Sequence, residues 1–241
     1  MSVVPGRVFA IGDIHGCALE LEALLRGLGL GPGDAVAFVG DYIDRGPDAR
    51  QVIDLLLDLA ERPGLSSVFL RGNHEDMCLA YLGYRGQWGE SWLLNGGAAT
   101  LQSYGLDEHA SGIAARAAIP PAHVDFLQRL IPWHIEGSHL LVHAGIRPER
   151  SLADQDEEDL LWIREPFISQ AHTLPYTVVF GHTPRRTVLL DLPYKIGIDT
   201  GCVYGGALTA LDLTTRAVYQ VRAGEHRLRT ATLEDAATDR A

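Results

Sequence analysis

Five short segments of the chain combine glycine with aspartate, asparagine or histidine, the residue types from which metal sites are built. These segments are GDIHG (12–16), GDYIDRG (40–46), RGNHE (71–75), HAG (143–145) and FGHTP (180–184). Imidazole, carboxylate and amide oxygen together suit borderline divalent cations such as manganese, iron and zinc. Asp13 and His15 are two positions apart, so in an extended segment both side chains point to the same side and can reach one ion. A carboxylate such as Asp41 can bridge two ions, which then lie about 3.5–4 Å apart.

Each segment taken alone also has a purely structural explanation. GNHE could be a helix start, with Asn73 as its cap and Glu75 in its first turn. GHTP could be a turn, and Asp44 with Arg45 could form only a salt bridge. The occurrence of all five segments in order, each at the end of an apolar run, favours one shared functional site.

Apolar runs with strand character precede all five segments, and helical periodicity follows the first three. The predicted strands are Val8–Ile11, Ala35–Val39, Ser67–Leu70, His139–Val142 and Thr177–Phe180, and the predicted helices are Ala18–Gly27, Ala49–Ala60 and one from about Glu75. Strands that alternate with helices predict a parallel sheet with helices on its faces. Because the carboxyl ends of parallel strands form the ligand crevice of such a sheet, we expect the five segments to meet at one rim.

The remaining chain predicts a second sheet and no second domain. Further strands are predicted at Thr187–Leu190, Lys195–Ile198 and Leu208–Leu211, and their short connections suggest a mixed sheet packed on the first. Residues from about 83 to 132 are helical or loop-like and form an insert. Since no linker composition or internal repeat occurs, we expect one α/β domain over residues 1–222. A polar, alanine-rich tail at residues 223–241 is expected to fray.

Charge and composition exclude several classes of partner. The formal net charge of −11 argues against a broad surface for nucleic acid or anionic lipid, which needs clustered Lys and Arg. No run of 18 apolar residues occurs, and the N-terminal apolar stretch predicts a first strand rather than a secretory signal. The cysteines, Cys17, Cys78 and Cys202, have no CxxC spacing and are typical of reduced thiols. We therefore expect a cytoplasmic protein with neither a membrane nor a nucleic-acid partner.

The ordered segments resemble the calcineurin-like metallophosphoesterases, and more narrowly their phosphoprotein phosphatase branch with its bacterial and phage Ser/Thr protein phosphatases. The arginine of GDYIDRG and the glutamate of RGNHE favour this branch over the general phosphodiesterases. WLLNGG (92–97) and LWIRE (161–165) are similar to the bacterial protein phosphatases, whereas IDTGCVYGGALTAL (198–211) is a pattern shared with the symmetrical diadenosine tetraphosphatases. The resemblance spans Gly12 to about Leu211. It implies a single domain with two packed mixed β-sheets flanked by helices.

The resemblance also implies a role for each site residue. The first metal ion would be held by Asp13, His15 and Asp41, and the second by Asp41, Asn73, His143 and His182. The general acid would be His74, oriented by Asp44. The phosphate oxygens would be bound by Arg45 and Arg164, with Tyr204 as a weaker candidate for the substrate pocket.

The implied cofactor is a pair of divalent ions, expected to be Mn²⁺, with Fe, Zn, Ni and Co as alternatives. A hydroxide that bridges the two ions would attack phosphorus in line with the leaving oxygen. The metals and the arginines would stabilise the equatorial oxygens, and His74 would protonate the leaving alkoxide. In this interpretation the metals bind Asp41, a histidine binds Asp44, and the substrate binds Arg45.

The function expected from these residues is that of a phosphomonoesterase acting on phosphoproteins or phosphopeptides, with Ser/Thr preferred and phosphotyrosine as a further substrate. The first alternative is a symmetrical bis(5'-nucleosyl)-tetraphosphatase, which would hydrolyse a phosphoanhydride of a dinucleoside polyphosphate at the same centre. The second is a metal-binding interaction module without turnover, against which the intact His74, Asp44 and Arg45 count. An acidic stretch, ADQDEED (153–159), is predicted to border the cleft and to disfavour a polyanionic nucleotide.

Overall fold

A computed structural model describes residues 6–238, which form two β-sheets with helices on their outer faces. The strands are β1 (Val8–Ile11), β2 (Ala35–Phe38), β3 (Ser66–Phe69), β4 (Trp133–Glu136), β5 (His139–Val142), β6 (Thr177–Phe180), β7 (Leu189–Asp191), β8 (Lys195–Gly197), β9 (Ala207–Asp212), β10 (Ala217–Arg222) and β11 (Leu228–Thr232). The α-helices are α1 (Ala18–Leu28), α2 (Ala49–Ala60), α3 (Asn73–Tyr81), α4 (Gly97–Ser103), α5 (Gly112–Ala118), α6 (Pro121–Arg129), α7 (Glu157–Trp162) and α8 (Leu233–Ala236).

Both sheets are mixed, as the family resemblance implied, whereas the strand–helix pattern alone predicted a parallel first sheet. The first has six strands in the order β11-β10-β9-β1-β2-β3, in which β1, β2 and β3 are parallel and β9 runs antiparallel to β1. The second has five strands in the order β4-β5-β6-β8-β7, with β5, β6 and β8 parallel. The five strands that precede the polar segments therefore lie in two different sheets, three in the first and two in the second.

The two sheets pack face to face around a shared apolar layer. Ala10 and Val39 from the first sheet's side lie in one buried cluster with Val179 and Ile196 from the second. The outer face of the first sheet is covered by α1, α2, α3 and α6, and that of the second by a separate cluster that includes α7 and Phe167. This arrangement confirms the predicted sandwich of two mixed sheets flanked by helices in a single domain.

The helices that cover the first sheet follow the apolar spacing of the sequence. In α2 the predicted stripe of Val52, Leu56 and Leu59 is fully buried, together with Ile53. Each of these helices leads the chain back across the sheet, so β1, β2 and β3 all deliver their carboxyl ends to the same edge.

The sequence patterns did not predict three of the strands, β4, β10 and β11. β4 is a half-buried edge strand, and β10 buries Val218 and Val221 on opposite faces of a sheet that is covered on both sides. The segment after Arg222, expected to fray, instead forms β11, which pairs with β10, and continues into α8 with its buried Leu233. The last residues of the predicted tail, 239–241, lie outside the described residues, as do residues 1–5 of the predicted domain.

The insert at 83–132 is built from helical elements alone in the structure. It contains two 3₁₀ turns, Gly89–Ser91 and Leu93–Asn95, and the helices α4, α5 and α6. These elements bring the segment WLLNGG to the rim where the strands of the first sheet end. Among residues 6–238, no helix combines the length and the apolar character that crossing a lipid bilayer requires.

Candidate active site

The six predicted metal ligands meet at the rim formed by the carboxyl ends of β1, β2, β3, β5 and β6. Asp41 lies at the centre, with Oδ2 3.4 Å from His15 Nε2 and Oδ1 3.4 Å from His143 Nε2. One carboxylate oxygen of Asp41 thus faces each side of the site. The ring nitrogens of His143 and His182 lie with the carboxylate of Asp41 within 4.8 Å of one another, as do those of His15 and His74.

The remaining predicted ligands are Asn73, which lies beside His143 and His182, and Asp13. The side-chain oxygen of Asn73 is 3.0 Å from His143 Nε2 and 3.1 Å from His182 Nδ1. Asp13, at the end of β1, accepts the backbone N–H of His182 at 3.0 Å and thereby joins the first sheet to the second. All six residues are buried, and in an apolar interior such polar groups require partners.

Hydrogen bonds to backbone carbonyl groups orient two of the histidines so that their other ring nitrogen faces the site. Nδ1 of His15 is 2.9 Å from the carbonyl oxygen of Ile43, and Nδ1 of His143 is 2.9 Å from that of Val39. A hydrogen bond of this kind fixes the tautomer and leaves Nε2 as the lone pair that faces the site. The guanidinium Nη1 of Arg45 lies 2.5 Å from His15 Nε2 in this structure.

The charges of the rim fit divalent cations. Burial lowers the pKa of His15 and of His182 to about 3, so both imidazoles are neutral and able to ligate near pH 7. Burial, together with the negative charges of Asp199 and Asp41, raises the pKa of Asp13 well above its usual range. Three buried carboxylates so close together repel one another unless cations lie between them. The donor set of imidazole, carboxylate and amide oxygen therefore fits a pair of divalent ions.

His74 is held at the start of α3 with one ring nitrogen bound and the other directed at the site. Nδ1 lies 2.6 Å from Asp44 Oδ2, whereas Nε2 is buried without a hydrogen-bond partner among the described residues. Burial acts to lower the pKa of His74, but the charge of Asp41 and the hydrogen bond with Asp44 outweigh it, so the pKa is raised. The predicted pair of His74 and Asp44 is thus in contact, and its free nitrogen faces the metal ligands.

Asp44 has two further partners, both from the insert, which the sequence interpretation missed. Trp92 Nε1 donates to Oδ2 at 2.8 Å, and Thr100 Oγ1 donates to Oδ1 at 2.6 Å. The backbone N–H of Asp44 returns a bond to Thr100 Oγ1 at 2.9 Å. The resemblance of WLLNGG to the bacterial protein phosphatases is the only signal in the sequence that points to Trp92.

Glu75 positions the loop that carries Asp41, Asp44 and Arg45. Its carboxylate accepts four backbone N–H groups, from Asp41 at 2.9 Å, Tyr42 at 2.8 Å, Ile43 at 3.3 Å and Gly72 at 2.9 Å. The absence of a side chain at Gly72 is also required here, because a Cβ would lie 2.1 Å from Asp41 Oδ1. Glu75 therefore holds the end of β2 against the end of β3.

Several site residues occupy the left-handed backbone region, which non-glycine residues rarely adopt. These are His15 (φ 45°), Asp41 (53°), Asp44 (73°), Arg45 (68°) and His182 (60°). Such conformations cost free energy and persist only where surrounding bonds determine them, as those of Glu75 do for Asp41. Their concentration at the rim is what a positioned functional site requires.

Arg45, Arg164 and Tyr204, the predicted phosphate and pocket residues, line one cavity of 330 Å³ together with Asp41, Asn73 and His182. The guanidinium of Arg45 lies 5.6 Å from the centre of the Tyr204 ring, and its backbone N–H donates to Gly96. Asn95 also lines this cavity and was not predicted. Arg71, by contrast, pairs with Asp76 and Glu157 away from the cavity, as a structural arginine does.

Ion pairs neutralise most of the negative charge of the acidic stretch at 153–159. Asp156 pairs with Arg150, Asp159 with Arg147 at 2.5 Å, and Glu157 with Arg71. Its second half forms the first turn of α7, where acidic side chains complement the helix dipole. The expectation that this stretch repels nucleotides rested on its total charge, most of which these ion pairs neutralise.

A rim with a carboxylate between two groups of nitrogen and oxygen donors, next to a histidine–aspartate pair and two arginines, is the arrangement that a dinuclear metallohydrolase requires. A family model described as calcineurin-like phosphoesterase matches residues 6–227. The chain belongs to this family of metallophosphoesterases, whose members use a dinuclear centre of divalent ions, and it is a phosphoester hydrolase.

Known relatives differ in their substrates. The chain is 35% identical to serine/threonine-protein phosphatase 1 of Salmonella typhimurium, over 84% of this chain and 90% of that protein. It is 29% identical to the asymmetrical bis(5'-nucleosyl)-tetraphosphatase PrpE of Geobacillus thermodenitrificans, over 86% of this chain and 92% of that protein. The solved structure of a candidate diadenosine tetraphosphatase is 28% identical, with a TM-score of 0.70 over 92% of this chain and 96% of that one.

Proposed function

We propose that this protein is a metal-dependent phosphomonoesterase that removes phosphate from serine and threonine residues of proteins, and from phosphotyrosine as a further substrate. The observation that carries the proposal is the His74–Asp44 pair, whose free nitrogen, Nε2, lies 4.0 Å from Asp41 Oδ2, and Asp41 lines the same cavity as Arg45 and Arg164. The identity of 35% to a protein named as a serine/threonine phosphatase supports the choice of substrate.

The metal ions assigned to this function are two divalent cations, Mn²⁺ first and Fe, Zn, Ni or Co as alternatives. Asp13, His15 and Asp41 would hold one, and Asp41, Asn73, His143 and His182 the other. When bound, they supply Lewis acidity toward phosphoryl oxygens and lower the pKa of water.

The arginines bind and orient the substrate. A phosphate monoester is a dianion, and a guanidinium can engage two of its oxygens through paired hydrogen bonds. Arg45 and Arg164 both line the cavity, so together they can bind the dianion and hold it in one orientation. These contacts also stabilise negative charge on the equatorial oxygens while the ester bond breaks.

His74 supplies the proton that the leaving oxygen needs. Its Nε2–H donates to the departing alkoxide of the serine or threonine, and Nδ1 stays bound to Asp44. Because Asp44 also accepts from Trp92 and Thr100, its carboxylate is fixed in place and stabilises the protonated imidazole.

Hydrolysis of a dinucleoside tetraphosphate is the second candidate function. The relatives named as tetraphosphatases favour it, and the compensated acidic stretch no longer counts against it. A non-catalytic module is disfavoured by the family membership and by the intact His74–Asp44 pair. The cytoplasmic location and the absence of nucleic-acid and membrane partners stay predictions.

The test is a comparison of kcat/KM for a phosphothreonine peptide and for diadenosine tetraphosphate, after chelation and reconstitution with Mn²⁺. A higher value for the peptide is expected, whereas a higher value for the nucleotide would replace the substrate assignment. In parallel, His74→Ala is expected to lower kcat by about 10²–10⁴-fold with an unchanged metal content, because only proton transfer is lost. His109→Ala, at an exposed site, is the control. Full activity of His74→Ala would contradict the assignment of the general acid.

A further inference from the structure

A second cavity adjoins the active-site cavity and carries the opposite charge to the protein as a whole. It has a volume of 580 Å³ and shares Pro184 and Tyr204 as walls with the active-site cavity. Its lining includes Arg185, Arg186 and Arg222, and among its described lining residues there is no aspartate or glutamate. In a chain with a net charge of −11, a pocket lined by arginines marks a place where an anion is favoured.

The arginines of this pocket are held by the backbone of the second half of the fold. The N–H of Arg185 donates to the carbonyl oxygen of Asp199 at 3.1 Å, just beyond the metal ligand His182. Arg222 ends β10, where it pairs in register with Ala207 at the start of β9. Both side chains are exposed, and within residues 6–238 neither has a carboxylate partner, in contrast to Arg147 and Arg150.

Tyr204 forms the wall between the two cavities. It belongs to a 3₁₀ turn, Cys202–Tyr204, that lies between Gly201 and Gly205, both with positive φ. Its side chain is 61% exposed, and its ring faces the guanidinium of Arg45. A ligand whose phosphate is bound at Arg45 can therefore pass over the Tyr204 ring into the arginine pocket without leaving the surface.

The opposite side of the active site has a different character. There Trp162 and Arg164 adjoin a cavity lined by Glu158, Asp156 and Asp159 together with Arg147, which pairs with Asp159. That side therefore carries charges of both signs, whereas the pocket of Arg185 and Arg222 has arginines and no carboxylate among its described lining residues, so an anionic extension of the substrate is favoured there. The charge distribution thus favours a substrate whose anionic extension points toward the pocket of Arg185 and Arg222.

We propose that the pocket of Arg185 and Arg222 binds a second anionic group of the substrate, namely an acidic or phosphorylated side chain close to the phosphoserine or phosphothreonine in the same peptide. This inference rests on the proposed protein phosphatase function and narrows its substrates to acidic phosphopeptides. An arginine that binds a carboxylate or phosphate forms charge-assisted hydrogen bonds, and a pocket next to the reaction site makes that binding part of substrate selection.

The experiment measures kcat/KM of the Mn²⁺-loaded full chain for two phosphothreonine peptides, one flanked by aspartates and one by asparagines at the same positions. The wild type is expected to prefer the aspartate peptide. In Arg185→Ala/Arg222→Ala we expect the ratio of the two values to fall by about tenfold, chiefly through KM, because one or two charge-assisted bonds are lost. Arg62→Ala, an exposed arginine at the end of α2, should leave the ratio unchanged. Equal ratios in the wild type and the double variant would overturn the proposal.

Two further measurements distinguish a failure of the acidic-peptide proposal from a failure of the protein phosphatase proposal. If the wild type hydrolyses p-nitrophenyl phosphate but neither peptide, the protein phosphatase assignment fails. An unphosphorylated glutamate-rich peptide is then used as an inhibitor of p-nitrophenyl phosphate hydrolysis. A higher inhibition constant in the double variant supports an acidic-peptide pocket, and an equal one overturns it. A double variant whose KM rises for diadenosine tetraphosphate, with unchanged peptide ratios, also overturns the proposal and assigns the pocket to distal phosphates.

Discussion

Glu75→Gln is the substitution that best tests how the active-site loop is held. The two carboxylate oxygens of Glu75 each accept two backbone N–H groups, from Asp41 and Gly72 at Oε2 and from Tyr42 and Ile43 at Oε1. A glutamine keeps the shape of the side chain but replaces one oxygen by an NH₂ group. Two of the four N–H donors then lose their acceptor and face another donor in a fully buried site.

The expected cost follows from this count. Each buried donor left without an acceptor costs about 1–3 kcal/mol, so the two together cost about 2–6 kcal/mol. Domains of this kind are stable by about 5–15 kcal/mol, so the loss is a large fraction of the total. Because the same bonds hold Asp41 in its left-handed conformation, we also expect weaker metal binding.

The assay is urea denaturation of the wild type and the variant, combined with metal titration by calorimetry. Glu61→Gln, at an exposed site at the end of α2, is the matched control and should be neutral. A loss of less than about 1 kcal/mol with unchanged metal affinity would refute the reasoning. It would mean that Glu75 is protonated in the folded protein, so that an amide can replace it. Burial does raise the pKa of this carboxyl group, whereas four N–H donors favour its ionised form.

Two other predictions concern the insert and the metals. Trp92→Phe keeps a large ring but removes the N–H donor to Asp44. We therefore expect kcat to fall by about tenfold and the free energy of unfolding by about 1 kcal/mol. Trp88→Phe, at a half-exposed site, is the control, and an unchanged kcat of Trp92→Phe would contradict the role of that bond. Removal of the metals with a chelator should lower the melting temperature measured by calorimetry, because ligands from both sheets lose their shared ions, and Mn²⁺ at 100 times its Kd should restore about 2.7 kcal/mol. An identical melting temperature with and without metal would show that the ions do not link the sheets.

The convergence of the six predicted metal ligands was readable from the sequence because each follows closely on a strand. A buried apolar run that ends in glycine and a polar residue is a local signal; the parallel strands within each sheet and the packing of the two sheets then bring the distant segments together. His15 and His182 could be placed in this way although one lies in each half of the site. The edge strands β4 and β11 gave no such signal, because they bury too little apolar surface to show a pattern.

The contacts that the sequence did not reveal connect elements far apart in the chain. Trp92 and Thr100 reach Asp44 across 48 and 56 positions, and neither residue type marks a partner for a carboxylate. Asp199 belongs to the segment IDTGCVYGGALTAL (198–211), but its place beside Asp13 depends on how the second sheet packs on the first. β10 was missed because its sheet is covered on both faces, so its buried residues do not alternate.

The order of strands in the first sheet bears on how the chain folds while it is being synthesised. β1 has β2 on one side, which follows it closely, but its other neighbour is β9, which ends at Asp212. A nascent chain therefore exposes one apolar edge of its first strand until most of the protein has left the ribosome. The contact between Asp13 and His182 spans 169 positions, so the ligand set is also completed late. We therefore expect metal binding to follow synthesis of most of the chain, and a chain stalled before β6 to present an open sheet edge of the kind that chaperones shield.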